Sequence, residues 1–221
     1  MLLADHVLST APEDSLVATT IVSSTLLSKL AKARGARFAQ TLTGFKWLTR
    51  AGDGLVYAYE EAIGHCVDPD VVRDKDGISA AVLVADLAAT LTDSNRTLLD
   101  VLDDYAVEFG LHRGDQVSRR VEDSSDIADM MKRLRADPPD RLAGEQVTIE
   151  DLAEVRGGMR TDAVMFDGPS IRVVVRPSGT EPKLKCYLEV VVPVANRGDL
   201  ATAHEAAKAR LAELRTFALS L

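Results

Sequence analysis

Cysteine is nearly missing from this chain, with two, Cys66 and Cys186, in 221 residues. That is too few for a disulfide scaffold and lacks the paired spacing of a zinc site, so a reducing compartment, the cytoplasm, is expected. Neither thiol has the cationic setting of a nucleophile: Cys186 reads as core, and Cys66, following a loop, as partly exposed. Histidine is also scarce, at four. His6, His112 and His204 fall in or beside predicted helices with no partner at ligand spacing, so they read as surface or interface residues and no metal site is expected. There is no excess of positive charge, since 26 Lys and Arg stand against 34 Asp and Glu for a net charge of −8. A general nucleic-acid or anionic-membrane surface is thereby disfavoured, and any bound anion must be held locally. No apolar run is long enough to span a bilayer, and the start Met1-Leu2-Leu3-Ala4-Asp5-His6 lacks the basic and apolar stretches of a secretory signal. Internal repeats, low-complexity tracts and long linkers are missing too.

What remains is ordinary folded-protein composition, 46% hydrophobic and 27% charged. Residues 16–22 (LVATTIV) form a β-branched strand, with Ser23 and Ser24 as N-cap candidates for an amphipathic helix ending at Gly35. Residues 37–42 alternate as a second strand, Thr43 can cap a short helix, and residues 55–59 (LVYAY) read as a third strand. This alternation predicts a βαβ-type parallel sheet. A polar loop over residues 60–77 precedes an apolar helix, residues 78–91, expected to be the most buried of its unit. Thr97 opens the next helix, with Asp100 at the capping-box position, and Gly110 closes it.

The texture then changes. Arg113-Gly114-Asp115 is taken as the boundary between residues 1–112 and 113–221. Beyond it come a strand from Gln116, a helix beginning near Ser124 and Ser125 and stopped by Pro138-Pro139, and a strand-like segment at residues 146–149. Three further strands occupy residues 163–166, 171–176 and 184–192, and a terminal helix residues 199–221. The fold class is therefore α/β plus α+β: a three-layer βαβ-type domain followed by a smaller domain whose mainly antiparallel sheet is covered by helices.

Two loops carry chemistry. Between two apolar strands, Arg176-Pro177-Ser178-Gly179-Thr180-Glu181-Pro182-Lys183 is richer than a turn requires. Arg176 offers a planar fork for phosphate oxygens, Ser178 and Thr180 add hydroxyls, and Gly179 lets backbone N–H groups approach an anion. The residues alone equally suit a proline-stiffened turn with Arg176 paired to Glu181. The second loop, Glu60-Glu61-Ala62-Ile63-Gly64-His65, follows the third strand at the edge of a parallel sheet where ligands bind. Its carboxylates can accept hydrogen bonds from sugar hydroxyls, and Gly64 permits a tight return that aims His65 inward. The alternative is a solvated acidic turn with His65 on the surface. By its residue type alone, Lys46 reads as a lysine that snorkels from the short helix.

The string RPSGTEPKLKCYLEV, residues 176–190, resembles the phosphate-binding loop of the last domain of the α-D-phosphohexomutase family. The resemblance implies that Arg176, Ser178, Gly179 and Thr180 hold the substrate phosphate that is not transferred. Residues 61–65 are similar to the family's sugar-recognition loop, Glu-x-Ser-Gly-His, at Glu61, Gly64 and His65, with Ile63 replacing the serine. Glu60, Glu61, Gly64 and His65 are thereby implied to bind sugar. Thr43-Gly44-Phe45-Lys46 resembles the family's TGFK segment, which implies that Lys46 neutralises phosphate charge, and residues 73–78 resemble its KDG segment, where Asp76 or Gly77 can cap a helix.

The resemblance runs along the whole chain and covers the family's third and fourth domains. Neither the phosphoryl-carrying Ser-His-Asn type loop nor the DxDxD cluster that binds Mg2+ is found in these 221 residues. The resemblance implies a substrate-holding half of a phosphoglucomutase or phosphomannomutase, which interconverts hexose 1-phosphate and hexose 6-phosphate through a hexose 1,6-bisphosphate. No catalytic residue or metal ligand is expected in this chain, and its partners are a hexose phosphate and the N-terminal half of the enzyme. A stand-alone phosphosugar-binding or regulatory module is the alternative.

Overall fold

The computed structural model describes residues 1–221 apart from the side chain of Ser124. The chain divides into two compact units, Met1–Phe109 and Gly110–Leu221. The first contains α1 (Leu2–Leu8), β1 (Leu16–Thr20), α2 (Leu26–Ala33), β2 (Arg37–Thr41), α3 (Phe45–Leu48), β3 (Leu55–Glu60), β4 (Gly64–Cys66), α4 (Gly77–Asp93) and α5 (Leu98–Phe109). Its sheet runs β2-β1-β3-β4, with β1 parallel to both β2 and β3. β1 is buried along its whole length, as a central strand covered on both faces must be. On one face Leu27, Leu30 and Ala31 of α2 pack with Leu3, Val17, Tyr57 and Tyr59. On the other, Phe45 and Leu48 of α3 meet Leu16, Ala18, Leu55, Ala58 and Cys66. The β1-to-β2 and β2-to-β3 connections cross the sheet in opposite directions, so right-handed crossovers put their helices on opposite faces. Three layers result, one of them a single turn thick.

Several expectations need correction here. The stretch after β3 is not all loop: β4 returns antiparallel on β3, pairing Glu60 with Gly64 and Tyr59 with His65. Cys66 is fully buried under α3, its thiol donates to the Val72 carbonyl at 3.4 Å, and burial pushes its pKa up to about 11. The helix expected to be most buried, α4, has Ala80 as its buried residue, while Ile78 is 81% and Val82 66% exposed. Apolar composition all round a helix does not supply it with neighbours, and within this unit α4 packs mainly on α1 and β4. Thr43 caps nothing, since α3 starts after Gly44 at φ +115°. The capping box at α5 forms with aspartate: Thr97 N–H donates to Asp100 Oδ2 at 2.8 Å and Asp100 N–H to Thr97 Oγ1 at 3.2 Å.

The second unit contains β5 (Leu111–Arg120), α6 (Ser124–Ala136), β6 (Arg141–Leu142), β7 (Glu145–Gln146), β8 (Thr148–Asp151), β9 (Val164–Asp167), β10 (Ile171–Pro177), β11 (Lys183–Val192) and α7 (Leu200–Ser220). Its main sheet is antiparallel, in the order β5-β11-β10-β9-β8, and β6 pairs with β7 as a separate hairpin. Arg113-Gly114-Asp115, taken from sequence as a boundary, lies inside β5, where Gly114 opposes Glu189. His112, expected at the surface or an interface, is in β5 with its side chain 2% exposed and Nδ1 3.2 Å from Glu189 Oε1. The α7 face is apolar: Leu211 and Leu214 are buried and Phe217 meets Phe166 edge-on at 5.9 Å. Phe166 opposes Val173, so Val173 and Val175 face the helix layer and Arg172, Val174 and Arg176 the other side. Among the described residues, no single helix is long and apolar enough to cross a membrane.

Candidate functional site

In the first unit the strand order puts the crossover reversal between β1 and β3, the position where open parallel sheets bind ligands at the carboxyl ends of their strands. Both strand ends contribute. Ser23, just beyond β1, donates from Oγ to Glu61 Oε2 at 2.9 Å, and Thr20 at the end of β1 donates to the same oxygen at 3.2 Å. The two hydroxyls are buried and 2.9 Å apart. They hold one carboxylate oxygen of Glu61, a residue on the exposed tip of the β3–β4 hairpin. Sequence reading offered Ser23 as a helix cap. The signal it passed over was a pair of hydroxyls at the carboxyl end of a parallel strand.

Glu60 is differently placed. Its Oε1 accepts from Lys75 Nζ at 2.9 Å, and the carboxylate is largely buried. Lys75 also stands over the Phe45 ring at 5.5 Å, and the Asp76 N–H donates to the His65 carbonyl at 2.8 Å. The segment before α4 thus clamps the hairpin from outside, a role for Lys75 that the sequence reading did not assign. Asp76 caps α4 through Ile78 N–H at 2.9 Å, and hydrogen bonds from Ser79 and Ile78 hold its carboxyl below the usual range. Gly64 is required by packing: a Cβ there would lie 2.8 Å from Glu60 Cγ and 2.9 Å from Phe45 Cε2. Ile63 sits at φ +60° and is 88% exposed, a left-handed conformation that a β-branched residue adopts only at a cost. His65 is half-buried between tyrosines, with Nδ1 2.9 Å from the Tyr57 hydroxyl. Burial lowers its pKa, so the imidazole is neutral at pH 7. Lys46 is exposed, with Nζ 5.3 Å from the Trp47 ring centroid.

In the second unit the β10–β11 turn carries Ser178, Gly179 and Thr180 at its tip. The ladder aligns Arg176 with Lys185 and Ser118, and Lys183 with Arg120, all on the sheet face away from α7. Glu181 binds Lys183 Nζ through both oxygens at 2.9 Å and Arg120 Nη2 at 3.2 Å. Lys183, then the neighbouring cations, keep the Glu181 carboxyl below its ordinary pKa. Glu181 is thus taken by these two cations, not by Arg176, which has no side-chain partner among the described residues. Residues 177–182 also line an open cleft of about 450 Å³ with Ile127, Ala128 and Asp162. Arg176 is not among its lining residues, so the cleft belongs to the helix side of the turn. A Cβ on Gly179 would meet nothing within 4 Å. Among the described residues, no group of three His, Cys, Asp or Glu side chains is placed to hold a metal ion.

An α/β/α unit followed by an antiparallel unit, each presenting one such loop, has the architecture of the paired domains found in sugar-phosphate mutases. Residues 1–109 match "Phosphoglucomutase/phosphomannomutase, alpha/beta/alpha domain III", and residues 117–203 match "Phosphoglucomutase/phosphomannomutase, C-terminal domain". The chain therefore belongs to the phosphoglucomutase/phosphomannomutase family, the α-D-phosphohexomutases. It is 41% identical over 174 residues to a probable phosphomannomutase of Haemophilus influenzae, covering 78% of this chain and 36% of that protein. It is 33% identical over 210 residues to a phosphopentomutase of Mus musculus, covering 83% and 34%. A phosphoglucomutase of Staphylococcus haemolyticus is 32% identical over 203 residues, covering 82% and 37%. The chain thus spans about a third of the length of these relatives. In fold it is similar to a phosphoglucomutase/phosphomannomutase family protein of Burkholderia thailandensis, with a TM-score of 0.60 at 17% identity over 94% of this chain and 40% of that one.

Proposed function

We propose that this chain is the substrate-holding part of a phosphohexomutase, with one half of the recognition in each unit. Glu61 and His65 accept from and donate to sugar hydroxyls. Gly64 and Glu60 shape the loop that presents them. Arg176, Ser178, Gly179 and Thr180 bind the phosphate that is not transferred, and Lys46 adds positive charge for phosphate. The observation that carries this reading is local charge. In a chain of net charge −8, the turn end of the second sheet gathers Arg120, Arg176, Lys183 and Lys185 on one face, with Arg120 and Lys183 bound to the carboxylate of Glu181. Two of those cations already bind Glu181, which leaves the Arg176 guanidinium fork for an anion. The vacant space around Gly179 supports it further, because no packing within the protein requires a glycine there.

The phosphoryl-transfer step depends on in-line positioning and metal-assisted charge neutralisation. The residues described here orient and bind. The serine and Mg2+-binding loops that the family resemblance implies belong to its first two domains, and the 221 residues by themselves are expected to show no mutase turnover with glucose 1-phosphate, Mg2+ and a hexose bisphosphate. Isothermal titration with glucose 1-phosphate tests the binding role. A charge-assisted hydrogen bond is worth about 1.5–3 kcal/mol, so Arg176→Ala is expected to weaken binding roughly 10- to 100-fold. Equal binding by wild type and variant would overturn the assignment.

A further inference from the structure

We propose that Tyr57 is a positioning residue for His65, its buried hydroxyl fixing the neutral tautomer in which Nε2–H is offered as a hydrogen-bond donor to a sugar or phosphate oxygen. The inference deepens the role given to the 61–65 loop and rests on that reading. Tyr57 is fully buried in the first unit's core, and its hydroxyl lies 2.9 Å from His65 Nδ1. Among the described residues that is its hydrogen-bond partner. Burial raises the Tyr57 pKa far above the ordinary phenol value, so the hydroxyl keeps its proton, and with His65 Nδ1 as its partner among the described residues that buried proton is satisfied only by being donated to Nδ1. Nδ1 must then accept, and the ring proton of a neutral imidazole must reside on Nε2.

The charged form is disfavoured by the same contact. With protons on both nitrogens, Nδ1–H would point at the Tyr57 oxygen, and the phenol hydrogen would be left without an acceptor inside the core, a loss that proteins rarely tolerate. The ring is also held in orientation. Tyr59, the cross-strand partner of His65, lies nearly parallel to it at 6.3 Å and 19°, and Tyr57 stands at 6.2 Å. The Asp76 N–H ties down the His65 carbonyl. Nε2 has no partner among the described residues. His65 therefore presents a fixed neutral donor, suited to orienting an oxygen acceptor and not to taking up a proton at Nε2.

The test is nitrogen-15 NMR of the full chain labelled at histidine, without ligand, alongside Tyr57→Phe, which removes the hydroxyl and keeps the ring. In the wild type Nδ1 is expected to resonate as an unprotonated nitrogen and Nε2 as an N–H; in Tyr57→Phe the preference collapses toward a mixture of tautomers. Titration with glucose 1-phosphate should then be weakened about five-fold in the variant, the worth of one neutral hydrogen bond. A protonated Nδ1 in the wild type, or an unchanged tautomer in folded Tyr57→Phe, would overturn the proposal. If Tyr57→Phe does not fold, the wild-type spectrum decides alone. A wild type that shows the expected tautomer yet ignores glucose 1-phosphate would remove the sugar-binding reading while leaving the positioning by Tyr57 in place.

Discussion

Replacing Gly64 by alanine adds one methyl group at the most crowded point of the β3–β4 hairpin. The new Cβ would stand 2.8 Å from Glu60 Cγ, 2.9 Å from Glu60 Oε1 and 2.9 Å from Phe45 Cε2, all closer than carbon and oxygen atoms tolerate. Glu60 can swing away only by breaking its 2.9 Å bond to Lys75, and Phe45 is locked in the cluster beneath the sheet. Overpacking of this kind costs about 1–3 kcal/mol. For a unit near 100 residues each kcal/mol lowers Tm by about 4–8 °C, so thermal unfolding followed through the first unit should drop by roughly 4–24 °C. A double-mutant cycle locates the cause. Phe45→Leu alone is a large-to-small change costing about 1–2 kcal/mol, but it removes the ring atom that the methyl group strikes. The double variant should therefore be more stable than the sum of the singles predicts, by at least about 1 kcal/mol. Strict additivity, or a Gly64→Ala variant as stable as wild type, would refute the packing argument.

Other perturbations separate the remaining contacts. Ser23→Ala removes the shorter of two hydroxyl bonds to Glu61; because water reaches that carboxylate, we expect a loss of about 1 kcal/mol and roughly five-fold weaker glucose 1-phosphate binding by titration, whereas unchanged binding would detach Ser23 from the site. Ile63→Gly relieves a left-handed β-branched residue, worth about 1–2 kcal/mol before the extra entropy of glycine is subtracted, so urea midpoints should rise; a fall would mean that the Ile63 side chain has a contact that outweighs its strain. For Asp151, burial pushes the carboxyl up, but hydrogen bonds from Arg135 at 2.7 and 3.2 Å and from the Ala153 N–H outweigh it, and the pKa falls below its ordinary 3.8. Its stabilisation is then fully present above 3.8 and is lost as pH falls through the depressed value. Asp151→Asn should lower the denaturant midpoint at neutral pH and flatten its decline in acid; an acid limb identical to wild type would show that Asp151 does not contribute to it.

The elements that sequence made legible were those whose determinants are local. β1 and β10 are rich in β-branched residues, β2 alternates, and the Thr97–Asp100 box and Gly110 at φ +88° mark the two ends of α5 from residues within a turn of each end. What stayed hidden depended on neighbours distant in sequence. The apolar residues of α4 gave no sign of how few would be covered, because burial is a property of the surroundings. β4 is three residues long and defined by its partner β3, too short for any period to show. The chemistry divides likewise. The composition of the Arg176 loop already suggested an anion, but only the cross-strand register reveals that Arg120 and Lys183 take Glu181 and that Arg176 is left unengaged. Ser23 looked like a helix cap because the carboxylate it binds lies on the far side of two more strands.

The edge strand β5 pairs along its full length with β11, from Leu111 with Val192 to Arg120 with Lys183. β5 opens its unit in the sequence and β11 nearly closes it, so β5 leaves the ribosome long before its partner exists. Such non-local pairing is slow, and an unpaired strand is vulnerable while it waits. Arg113, Asp115, Arg119 and Arg120 stud β5 with charge, a composition that discourages edge-to-edge association with another chain. The arginine that later grips Glu181 beside the phosphate loop would thus serve earlier as a guard on a strand that has nothing yet to pair with.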